Sequence, residues 1–145
     1  MNIHQTSKIT TIIGLIFEGL GLFGIAMVAT IFNVFQSDIM VELMAGEMTP
    51  MEMEFINHIF GIFKVLFVVM GFILFVFFIV NLILFTKLLQ GKFNKQQAQN
   101  VLLYQAIYGG ISLLSNQIVG VLYLVSGIQG RAAIQKENQP IREGL

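Results

Sequence analysis

Glu18 stands near the middle of an apolar run from Ile9 to Phe35 that is otherwise interrupted by Thr10, Thr11, Thr30 and Asn33. A carboxylate in hydrocarbon is costly, so such a residue faces protein, water or a partner. Two chemistries follow. One is a proton, cation or ligand site inside a helix bundle. The other is a hydrogen-bonded carboxyl that joins helices, with Tyr104, Gln105, Tyr108 and Ser112 as candidate partners. The neighbouring glycines favour the second. Gly14, Gly21 and Val28 share a helical face with Glu18, Gly24 and Ile25, and small residues on such a face let another helix approach closely. Asn81, the only polar side chain between Val65 and Phe85, is read the same way, as an interhelical hydrogen bond. Lys64 has a stem long enough to reach the membrane interface and, by depth, sits roughly 15 Å from Glu18, so interfacial anchoring is the simpler role.

Five of the eight methionines, Met40, Met44, Met48, Met51 and Met53, fall in the segment 36–58, which also holds Asp38, Glu42, Glu47, Glu52 and Glu54 and no Lys or Arg. Thioethers are soft ligands and would suit monovalent copper. Methionine is also the adaptable hydrophobe of interaction surfaces, and this reading is preferred: Met40, Glu42, Met44, Glu47, Met48, Met51 and Glu52 are expected to hold a partner, with no metal and no cofactor. The chain has no cysteine, which excludes disulfides and thiol catalysis. It also lacks a Ser/His/Asp set, a phosphate-binding glycine loop and zinc-type spacing, so no enzymatic activity is expected. A net charge of zero gives no reason to expect nucleic acid as a partner.

The elements that position these residues are membrane helices. Of the 145 residues, 56% are hydrophobic and 11% charged, too apolar a balance for a soluble domain of this size. Val65–Phe85 alone is long enough to cross a hydrocarbon core of roughly 30 Å at roughly 1.5 Å per residue. The sequence predicts an all-α, integral membrane four-helix bundle in a single domain, with helices at about 9–35, 50–89, 95–115 and 117–135. Thr49-Pro50-Met51-Glu52 is a capping box that starts the second helix well before the apolar stretch. Gln90-Gly91 is a helix stop, and Asn94 with Gln97 caps the third helix. Ser115-Asn116-Gln117 reads as a turn, and Gly120, Tyr123, Gly127 and Gly130 then line one side of the fourth helix. Residues 136–145, including Pro140, are expected to be frayed. A short helix between Ser37 or Asp38 and Ala45 is also expected.

Lysines between Leu88 and Lys95, together with Arg131, Lys136 and Arg142, predict that both are cytoplasmic, with the acidic segment outside and both termini inside. An even number of crossings favours four helices. The alternative, one long helix over Val101–Ile128, would put the tail outside. With no tryptophan, an aromatic belt would have only Tyr104, Tyr108 and Tyr123 to draw on.

The second hairpin, Tyr108-Gly109-Gly110-Ile111-Ser112-Leu113-Leu114 followed by Gly120-Val121-Leu122-Tyr123-Leu124-Val125-Ser126-Gly127-Ile128, resembles the uncharacterised small four-helix membrane proteins common in Gram-positive bacteria. The resemblance covers the last third and the general plan. It implies four helices and a bacterial plasma membrane, and it assigns no site. The expected function is that of a non-enzymatic accessory protein or homo-oligomer. It would bind another membrane protein, or itself, through the acidic Met-rich segment or the helix-one face of Gly14, Glu18, Gly21 and Gly24. The alternative is a small oligomeric proton or cation channel built on Glu18.

Overall fold

The structure, a computed structural model, describes residues 5–36 and 49–137. These form four helices and no strand: α1 (Gln5–Gln36), α2 (Pro50–Leu89), α3 (Lys95–Ser112) and α4 (Gln117–Glu137). Three of them, α1, α2 and α4, are long and apolar enough to cross a membrane; α3 is not among them. The segment with Met40, Glu42, Met44, Glu47 and Met48, and the short helix expected there, lie outside the described residues, as do His4 and the tail beyond Glu137.

The local signals are realised as hydrogen bonds. At the start of α2 the Thr49 N–H and hydroxyl donate to Glu52 Oε2 at 2.8 and 2.7 Å, and the Glu52 N–H reaches Thr49 Oγ1 at 3.4 Å. The Thr49 backbone bond first, and the hydroxyl second, hold the Glu52 carboxyl below its ordinary pKa. A depressed carboxyl contributes stability above its unfolded pKa and loses it as pH falls through the folded value. The first turn of α2, which lies before the apolar stretch, is therefore expected to fray in acid. A lower protection factor of the Thr49 amide at low pH, corrected for the intrinsic pH dependence of exchange, would register this, and an unchanged protection factor through the carboxylate range would refute it.

α2 is stopped after Leu89 by Gly91, whose φ of 67° is the left-handed conformation that favours glycine. The Gly91 N–H bonds to Leu88 O and the Lys92 N–H to Lys87 O, both at 3.0 Å, which closes the helix end. α3 opens on Asn94, whose Oδ1 accepts from the Gln97 N–H at 2.8 Å while Gln97 Oε1 accepts from the Asn94 N–H at 3.1 Å. Asn94→Ala is expected to cost about 1 kcal/mol, seen as a lower thermal midpoint in detergent; no change would mean that packing alone fixes the start of α3.

α3 stops at Ser112, three residues short of the expected end, because Leu113–Asn116 tighten into a turn with the Ser115 and Asn116 N–H groups on Ser112 O. α3 and α4 are therefore a hairpin, not one long helix. Helix one starts at Gln5 instead of Ile9, and α4 keeps Lys136 and Glu137, with Lys95 Nζ 3.6 Å from the Glu137 carboxylate.

The described residues pack as two compact units. One comprises 5–19 of α1, 78–89 of α2, α3 and α4. Its core is Phe85, Leu88, Ala98, Val101, Leu102, Val119, Tyr123 and Ile134. Glycines set the α3–α4 distance: a Cβ on Gly109 would lie 2.6 Å from Leu124 N, one on Gly120 2.6 Å from Leu113 N, and one on Gly127 2.6 Å from Leu102 O. The other unit pairs 20–36 of α1 with α2 up to Phe77. There the Phe32 ring sits 6.0 Å from Phe60 and 5.7 Å from Phe67, and most apolar side chains are exposed, including Phe23, Met27, Val68 and Phe72.

Candidate functional site

The predicted glycine face of α1 is built differently from its sequence reading. Gly24 would meet nothing within 4 Å if it carried a Cβ, Val28 is exposed, and Gly21 is half-buried. The packed face runs the other way, through Ser7, Thr11, Gly14 and Glu18, all buried. Gly14 is essential to it, since a Cβ there would run into the Tyr123 ring. Ser7 and Thr11 were hidden from a hydropathy reading because their hydroxyls interrupt the apolar run, yet they are small enough to pack and can hydrogen-bond across helices.

Glu18 is 9% exposed and accepts three hydrogen bonds. Asn81 Nδ2 of α2 donates to Oε1 at 2.8 Å, Tyr108 OH of α3 donates to Oε1 at 2.6 Å, and Tyr123 OH of α4 donates to Oε2 at 2.6 Å. Tyr104 reaches the carboxyl indirectly, its OH donating to Asn81 Oδ1 at 2.8 Å. One side chain therefore ties α1 to each of the other three helices. Its two oxygens take donors from three directions, all of them from uncharged side chains.

All three tyrosines of the chain are in this cluster, so they do not form an interfacial belt. Tyr104 and Tyr108 stack at 6.0 Å, Tyr108 and Tyr123 lie 5.9 Å apart, and Phe85 meets the Tyr123 ring edge-on at 5.1 Å. Tyr123 is the partner that the sequence reading missed. Its signal was present: a phenol on the Gly120/Gly127 face of an apolar helix is directed into the bundle and must find an acceptor there.

Gln105 and Ser126 belong to a second polar layer. Gln105 Nε2 donates to Thr11 Oγ1 at 2.9 Å, Thr11 Oγ1 and Ser126 Oγ are 2.6 Å apart, and Ser7 Oγ donates to Ser126 O at 2.9 Å. This layer joins α1, α3 and α4 between Glu18 and the end of the unit that carries Lys8, Lys87, Lys92, Lys95, Arg131 and Lys136. Ser112 is buried near the hairpin turn and makes none of the Glu18 bonds described above. Lys64 is exposed on the part of α2 that belongs to the other unit. Met51 and Glu52 are exposed at the start of α2, and Met53 is half-buried. No known protein-family model, curated protein or solved structure matches the chain.

Proposed function

We propose that this is a multipass membrane protein of the bacterial plasma membrane, with both termini cytoplasmic. On this reading it is a non-enzymatic accessory subunit or homo-oligomer. The observation that carries the reading is the saturation of Glu18 by Asn81, Tyr108 and Tyr123. A carboxyl filled by donors from every neighbouring helix is a structural junction, which leaves partner binding to other surfaces. The acidic Met-rich segment, whose described part exposes Met51, Glu52 and Glu54, is the surface assigned to a partner. Its lack of Lys and Arg, against the Lys and Arg residues of the Leu88–Lys95 connection and of the C-terminal tail, supports an outside placement. Deleting 38–54 is expected to abolish co-purification of a stoichiometric partner or, for a homo-oligomer, to lower the detergent-solution mass. Retention of both would overturn the assignment.

A second reading has its own support in the Ser7/Thr11/Gln105/Ser126 layer. With Glu18, this layer forms a column of buried polar groups leading in from the basic end. Such groups in a bundle interior suit a proton or cation path. Proteoliposome flux abolished by Glu18→Gln would establish that reading and remove the accessory one.

A further inference from the structure

α4 as a whole is long and apolar enough to cross a membrane, but the part of the α3–α4 hairpin between its polar ends and its turn is short for a bilayer. α3 begins with Lys95, Gln96, Gln97, Gln99 and Asn100 and turns apolar only at Val101, while α4 is apolar up to Ile128 and continues with Gln129 and Arg131. From these boundaries to the turn, each limb is roughly 18 Å long at about 1.5 Å per residue, against a core of roughly 30 Å. The apolar run of α1 from Ile9 to Ile31 is roughly 34 Å on the same scale. The hairpin limbs are paired so that their polar ends coincide: Lys95 faces Glu137, and Gly127 abuts Leu102.

The N–H groups of the tip are paired. The N–H groups of Leu113, Leu114, Ser115 and Asn116 are all bonded within the hairpin, the Ser115 hydroxyl donates to Ser112 O, and Asn116 Oδ1 accepts from the Val119 N–H. Unpaired backbone groups are what exclude loops from hydrocarbon, and these donors are paired. Leu114, at the apex, is 92% exposed. Moving the tip to the far interface would draw Arg131 and several amides into hydrocarbon. Leaving it inside submerges Gln117, the Asn116 amide and the turn carbonyls, all of them uncharged, and charged side chains are the costlier to submerge.

We infer that the α3–α4 hairpin enters the bilayer from the basic end of the fold and turns back inside the hydrocarbon, with Leu114 against acyl chains. The inference rests on the membrane placement proposed above and narrows it: α1 and α2 are the complete crossings, and the termini still share one side.

The chain has no tryptophan, so Leu114→Trp supplies a single indole at an exposed position. The full-length variant would be reconstituted in phosphatidylcholine vesicles whose acyl chains are brominated at defined depths. Its emission is expected to be lost most strongly to bromines far down the chain and to resist aqueous iodide. Val69→Trp, in the apolar stretch of α2, reports insertion itself. Quenching of Val69→Trp by bromolipid, with Leu114→Trp quenched only near the headgroup or by iodide, overturns the re-entrant hairpin. Absence of bromolipid quenching in both variants overturns the membrane placement on which it depends.

Discussion

Glu18→Leu is expected to lower the thermal unfolding midpoint of the detergent-solubilised protein strongly. It removes the acceptor of bonds from Asn81, Tyr108 and Tyr123 and leaves three polar groups in the bundle without it. A buried donor left unpaired costs about 1–3 kcal/mol in general, whereas interhelical bonds in membranes average about 0.6 kcal/mol, so the loss should total roughly 2–5 kcal/mol. Glu18→Gln keeps one acceptor oxygen and should lose less. Tyr123→Phe keeps the ring against Gly14 and Phe85 and should cost about 1 kcal/mol, the price of one bond. A double-mutant cycle between Glu18→Leu and Tyr123→Phe should show positive coupling. Additive effects would mean that the Tyr123 hydroxyl does not hold Glu18.

The second large effect is expected at the α3–α4 crossing. Gly127→Leu would place side-chain atoms where Leu102 O and Ala106 N lie 2.6 and 2.7 Å from the Cβ position. Backbone cannot move aside as a flexible side chain can, so the helices must separate, at a cost of about 3 kcal/mol or more. Separation would also withdraw Tyr123 and Ser126 from their partners on α1. The variant is expected to lose its monodisperse elution and to be cut by protease within α3 or α4. Gly24→Ala is the counterpart. With nothing within 4 Å of the new methyl, it should leave stability unchanged or raise it by up to about 1 kcal/mol. Equal damage at Gly24 and Gly127 would mean that close helix approach is not what the glycines serve.

The sequence by itself determined the helices and those ends that carry a cap or a stop. Thr49 with Glu52, Asn94 with Gln97, and Gly91 are local devices whose partners lie within a few residues, so their chemistry is complete before any tertiary contact forms. It also singled out Glu18 and Asn81, because a carboxyl or amide in an apolar run must be satisfied by something. Only the tertiary structure decided by what. The same face of α1 projected upward gives Gly24 and Val28 and downward gives Ser7 and Thr11, and periodicity is symmetric between them. The choice depends on α4, whose Tyr123 and Ser126 lie more than a hundred residues away and fill the downward groove. The tyrosines show the same limit. Amphipathic side chains suit an interface as well as a core, and it is the glycines of α3 and α4, by bringing those helices together, that turn Tyr108 and Tyr123 onto a single carboxyl.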